Sequence, residues 1–106
     1  MAPEPTVAVA DNPEGSRYEI SVDGDLAGFV RYRTEPGQIA LVHTEVDDRF
    51  EGQGLGGRLI AHALDDARQR GLAVLPYCPF AKAYIQRHPE YVALVPEDRR
   101  AEFGLG

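Results

Sequence analysis

Apolar positions from Arg17 to Val22 alternate, which places Tyr18, Ile20 and Val22 on one face of a half-buried strand. Asp23-Gly24-Asp25 then gives a hairpin signal. A second strand is predicted from Leu26 to Arg33, and Thr34-Glu35-Pro36-Gly37 turns the chain again. Gln38 to Val46 is the most apolar of these runs and is expected to be central. Upstream, Val7 to Ala10 predicts a short strand stopped by Asp11-Asn12-Pro13-Glu14-Gly15, after a loose end from Met1 to Thr6.

Beyond residue 54 the period lengthens. Leu55, Leu59, Ile60, Ala63, Leu64 and Ala67 fall on one helical stripe, and Arg58, His62, Asp65, Asp66 and Gln69 take the other side. Gly71 is a suitable C-terminal stop. Leu72 to Tyr77 reads as a buried strand closed by Pro76 and Pro79. Phe80 to Arg87 reads as a short helix ending before Pro89. The charged tail from Val95 to Gly106 has only Phe103 and Leu105 as anchors. One mixed sheet with the long helix on one face is expected. Its core should contain Ile39, Leu41, Val42, Leu55, Leu59, Ile60, Leu64 and Val74.

The 106 residues suffice for a single domain, and 43% apolar content is enough to fold it. A net charge of −6 argues against a nucleic-acid binder. It also means that any site for an anion must be local. No run approaches the length of a membrane span, and no basic-then-apolar signal pattern opens the chain. One cysteine excludes an intramolecular disulfide, and a cytoplasmic protein is expected. His43, His62 and His88 are scattered without ligand spacing, so no metal site is expected.

The most informative run is Glu51-Gly52-Gln53-Gly54-Leu55-Gly56-Gly57, between the most apolar strand and the long helix. A glycine-rich turn opening a helix leaves backbone N–H groups unpaired and unobstructed. The helix dipole adds positive charge at the same spot, so such a turn can seat a phosphate. The alternative is a flexible loop whose glycines only permit a tight turn. The run argues against a P-loop, because Arg58 and Leu59 follow Gly57 where lysine and a hydroxyl are required. Gly52, Gly54 and Gly57 match a dinucleotide fingerprint formally. However, Asp47 to Glu51 intervenes after the strand, and Leu72 to Tyr77 has no acidic residue. Arg49 and Arg58 flank the turn as sources of local positive charge, or as solvated surface arginines.

The stretch Glu51-Gly52-Gln53-Gly54-Leu55-Gly56 resembles motif A of the GNAT superfamily of acyl-CoA N-acyltransferases, Gln/Arg-x-x-Gly-x-Gly/Ala, with Glu51 where the family usually has Gln or Arg. The order of predicted elements is also that of the GNAT core. A hairpin at Asp23-Gly24-Asp25 stands in for the helices usual between the first two strands. His43-Thr44-Glu45-Val46, Leu75 to Phe80 and His88-Pro89-Glu90-Tyr91 extend the likeness to the minimal, single-domain GNAT-like branch, over about residues 7 to 95. The implied fold is α/β (α+β), a mixed, mostly antiparallel sheet of about five strands with helices after strands 4 and 5.

The resemblance implies acetyl-CoA as co-substrate, with its pyrophosphate on the turn formed by Gly52, Gln53, Gly54, Leu55, Gly56 and Gly57, beside Arg58. It implies a pantetheine arm in a gap between splayed fourth and fifth strands, pairing with the backbone of Thr44, Glu45 and Val46. The acceptor would be a primary amine on a small molecule or protein, and the chain a monomer or homodimer. The rivals are a CoA-binding module without catalysis and an interaction scaffold on the same core.

Acyl transfer to an amine needs a base. His43 is one candidate, since an imidazole titrates near ~6.5, and alternation puts it on the side of Leu41 and Glu45. Glu45 is a second, acting through water. Cys78, at the mouth of the expected gap, is either a small buried residue or a nucleophile partnered by His43. Tyr84 occupies the helix where many GNAT enzymes carry a tyrosine that protonates the CoA thiolate; otherwise it packs on the sheet. Direct transfer is favoured over an acyl-cysteine route, because proximity alone accelerates it.

Overall fold

The computed structural model describes residues 4–106. It contains strands β1 (Val7–Asn12), β2 (Arg17–Val22), β3 (Asp25–Glu35) and β4 (Gln38–Val46), then helix α1 (Leu55–Gln69), strand β5 (Ala73–Pro76) and helix α2 (Pro79–Arg87). Short 3-10 turns carry the chain from Pro89 to Phe103. Of the expected loose end, residues 1–3 lie outside the described residues. Thr6 is tied down, its N–H donating to Asp23 Oδ1 at 2.9 Å.

The five strands form one sheet in sequence order. The first four pair antiparallel, and β5 adds parallel to β4. The middle strand is therefore β3. β4 stands one place from the edge, because the meander adds each strand beside the last and only β5 follows it. The connection standing in place of helices between β1 and β2 is the turn at Pro13–Gly15. The Asp23-Gly24 hairpin instead joins β2 to β3. Both of its central residues have positive φ (51° and 85°), the backbone that matches strand twist.

Helix α1 covers one face of the sheet. Its buried residues are the expected stripe with Gly56 added. It ends as Gly71 enters the left-handed region at φ 69°. The Leu72 N–H then donates back to Ala67 O at 2.9 Å and that of Gly71 to Arg68 O at 3.2 Å, closing the last turn. The Tyr18 hydroxyl, from β2, donates to Asp66 of α1 and clamps helix to sheet. The tail is anchored by Phe103, which packs edge-on against Tyr77 at 5.3 Å, and by Val95, fully buried. Among the described residues no helix is long and apolar enough to cross a membrane.

Leu59, Ile60 and Leu64 have no exposed surface. Leu64→Ala should therefore destabilise the fold by about 2–5 kcal/mol, the usual cost of a lost methyl cluster plus an unfilled cavity. Urea denaturation measures this. A loss under ~1 kcal/mol would mean that α1 does not seat on the sheet through this residue.

One irregularity sets up the site. In the β3–β4 ladder His43 faces Arg31, but the next pair is Leu41 with Tyr32. Val42 is an extra residue, a β-bulge. Strict alternation fails here: Leu41 points into the core, whereas His43 points with Glu45 to the opposite face, which α1 does not cover. Val42, expected in the core, is only half-buried for the same reason.

Candidate active site

The parallel ladder between β4 and β5 is short. It runs from the Gln38–Ala73 pair to Leu41–Pro76. The Cys78 N–H donates to Leu41 O at 2.9 Å, and among the described residues no strand continues along that edge of β4. The sequence dictates the stop. Pro76 has no N–H for the ladder, and Pro79 opens α2 at a position suited to proline. The backbone edge of residues 42–46 is thus left facing a gap, which begins at the bulge.

The glycine turn lies at the far end of that gap. Gly52 and Gly54 have φ of 83° and 72°, and a Cβ at either would meet nothing within 4 Å. Gly54 caps α1 without a side chain, and no carboxylate lies in the first turn. The Arg58 N–H donates to Gly54 O at 3.2 Å as the first helical bond, so the amides of Leu55, Gly56 and Gly57 precede it without helical acceptors. Gly56 has a different reason for its identity. A Cβ there would lie 2.3 Å from Phe80 Cζ.

Between this turn and α2 runs a cleft of about 510 Å³. Val46 and Phe50 form one side, and Phe80, Tyr84, Arg87 and His88 the other. Glu51 also lines it, whereas Gln53 and Arg58 do not, and Arg58 is exposed. Arg49 is drawn away, bonded to Asp47 at 3.2 Å. Open space over free amides at a helix N-terminus fits a pyrophosphate, and the aromatic wall fits an extended organic arm.

His43 and Glu45 project together from the uncovered face. Their Nε2 and Oε2 atoms are 3.7 Å apart, with side chains 52% and 62% exposed. Cys78 is only 2% exposed and lies on the other side. Its Sγ is 3.2 Å from Thr44 Oγ1, and Thr44 pairs with Val30 on the α1 face. The structure brings Cys78 to Thr44, and not to His43. The bulge puts the two on opposite faces, so of the two alternatives for Cys78 the geometry fits the small buried residue and not the partner of His43.

Tyr84 lies beside Gly57 and stacks on His88, ring centroids 4.1 Å apart. Burial raises its pKa, and the carboxylates of Asp65 and Glu90 raise it further, against a smaller opposing effect of Arg87. The phenol therefore holds its proton at neutral pH. His62 is exposed on α1, edge-on to Tyr18 at 5.8 Å, and takes no part. Phe50, Phe80 and Arg87 were not anticipated from sequence. Phe80 carried a faint signal, a large aromatic directly after the proline that opens a helix.

A family model described as GCN5-related N-acetyl-transferase matches residues 17–95. The [ribosomal protein bS18]-alanine N-acetyltransferase of Escherichia coli K12 is 31% identical over 65 residues, covering 58% of this chain and 44% of that protein. Streptothricin acetyltransferase of Streptomyces lavendulae is 41% identical over 54 residues, 49% of this chain and 29% of that enzyme. The chain thus spans less than half the length of these curated relatives. The solution structure of a GCN5-like protein from Staphylococcus aureus superimposes with a TM-score of 0.66 at 24% identity, covering 84% of this chain and 87% of that one. That likeness reproduces the fold.

Proposed function

This chain belongs to the GCN5-related N-acetyltransferase family, and from that premise we propose that it transfers an acetyl group from acetyl-CoA to a primary amine. The observation that carries the reading is the continuity of the site. One cleft joins the free amides of the glycine turn to Val46, at the end of the unpaired edge of β4. A pyrophosphate on Gly54 to Gly57 leaves the pantetheine arm free to run along that edge, pairing with the backbone of residues 44–46. The thioester then reaches the bulge and Cys78.

The amine approaches from the face that carries His43 and Glu45. A second cleft of about 420 Å³, walled by Phe29, Glu45, Asp47 and Asp48, opens there and suits a cationic acceptor. The amine nitrogen forms the new C–N bond as the C–S bond breaks. His43 takes the amine proton, directly or through Glu45 and water, and Tyr84 supplies a proton to the departing thiolate. The relatives' names point to acceptors of their own, an alanine of ribosomal protein bS18 and streptothricin. A reducing, cytoplasmic setting suits the single free thiol of Cys78.

One observation favours a second reading, CoA binding without catalysis. The turn at Pro13–Gly15 leaves no helices to wall the acceptor side. Incubation with acetyl-CoA and a panel of diamines, lysyl peptides and N-terminal peptides decides between the two. Thiol release matched by acetylated amine in mass spectrometry is the expected result. CoA binding by calorimetry without thiol release supports the second reading, and no binding at all leaves a scaffold.

A further inference from the structure

A phosphorylated ligand in the glycine-turn cleft meets few fixed cations. Among the described residues Arg87 is the only arginine or lysine lining that cleft. Arg49 is held by Asp47, and Arg58 stands outside the lining. Arg87 has no hydrogen-bond or ion-pair partner among the described residues, unlike Arg70, which bonds Asp66, or Arg99, which bonds Glu102. The carboxylate of Glu51 shares the cleft, and the chain carries −6 overall. Beyond the backbone amides of the turn, Arg87 is therefore the one arginine or lysine side chain among the described residues that the cleft offers to an anion.

Position along α2 says which anion. The helix starts at the gap, with Cys78 bonded to Leu41. Phe80 lies over Gly56, Tyr84 lies beside Gly57, and Arg87 ends the helix. At ~1.5 Å per residue, Arg87 is about 13 Å from Cys78 along the axis. A ligand with its thioester at Cys78 and its pyrophosphate on the amides of Gly54 to Gly57 must leave the turn at its other end, away from the gap. There Arg87 stands beside the stacked Tyr84–His88 rings. Resting on the acyl-CoA reading, we infer that Arg87 receives the ribose 3′-phosphate of coenzyme A, and that the cleft selects CoA over dephospho-CoA through this residue. A planar, permanently charged fork suits a terminal phosphate, which accepts two parallel N–H bonds.

The test is calorimetric titration of the whole chain with CoA and with dephospho-CoA, which lacks only the 3′-phosphate. The parent is expected to bind CoA about tenfold or more tightly than dephospho-CoA, in keeping with a charge-assisted bidentate contact. Arg87→Gln should reduce that preference to within about twofold and leave the affinity for dephospho-CoA as it was. Arg87 is exposed, so its replacement should not disturb folding. Equal losses for both ligands in Arg87→Gln would overturn the assignment, placing Arg87 on the pyrophosphate or in a supporting role. Loss of the preference in Arg58→Gln instead, or no preference in the parent, would also overturn it. If neither ligand binds the parent, the acyl-CoA reading fails and the assignment falls with it.

Discussion

Gly54→Val is expected to lower CoA affinity by about 10²-fold or more while the protein stays folded. Residue 54 sits at φ 72°, where a β-branched side chain is a rare outlier. Strain of about 1–3 kcal/mol at such a position corresponds to roughly 5- to 150-fold if it is relieved only by moving the turn. The branched side chain also enters the open space above the free amides, where the phosphate must come. Nothing lies within 4 Å of a Cβ at this position, so no core contact is lost. Gly56→Val should be similarly damaging for a different reason. Its Cβ would meet the Phe80 ring at 2.3 Å and drive it into the cleft. Adding Phe80→Ala should recover binding in Gly56→Val and should not do so in Gly54→Val. Calorimetry, with circular dichroism to confirm folding, reads both. A folded Gly54→Val protein that binds CoA like the parent would put the phosphate seat elsewhere.

His43→Ala should slow acetyl transfer by about 10²-fold, the lower end of what a positioned general base contributes. The lower end is expected because Glu45, 3.7 Å away, remains as a relay to solvent. The loss should appear in kcat with KM for acetyl-CoA little changed, since His43 lies outside the cofactor cleft. Cys78→Ala should keep measurable transfer. Cys78 is bonded towards Thr44, and the bulge turns His43 to the other face, so no base is at hand to activate the thiol. Intact-protein mass spectrometry after mixing with acetyl-CoA should show no stable adduct on Cys78. A kinetically competent acyl-Cys78 species, together with an inactive Cys78→Ala variant, would establish the two-step route instead.

Features that depend on local pattern were legible in the sequence. Alternation at Tyr18, Ile20 and Val22 and the stripe from Leu55 to Ala67 both became buried faces, because strand and helix periods follow from backbone geometry alone. The glycine turn was legible for the same reason, since positive φ at Gly52 and Gly54 is a demand on residue type. The bulge at Val42 was not. A strand's period is visible in its own residues, but an inserted residue shows only in the register with its partner. That one unseen residue put His43 on the side opposite Leu41 and left the alternative pairing with Cys78 unformed. Arg87 was invisible on other grounds. On its own helix it looks like any solvated arginine, and only the packing of α2 beside the glycine turn makes it a wall of the cleft.

The shortness of the β4–β5 ladder bears on how the molecule assembles. β1 to β4 form successive antiparallel pairs of neighbours in sequence, whose closure entropy is small. The last strand must return across the whole of α1 to make its pairs from Gln38–Ala73 to Leu41–Pro76. Non-local pairing of this kind is expected to form late and open first. The gap proposed to receive the thioester would thus be bounded by a part of the protein that opens early. A ligand bridging both of its sides shifts that opening equilibrium by mass action. Amide exchange should therefore slow on CoA addition most in β5 and the start of α2 and least in β1 and β2, and uniform slowing would show that the sheet opens as one unit. Supply of the cofactor would then set how long the site persists between openings, as well as how often it turns over.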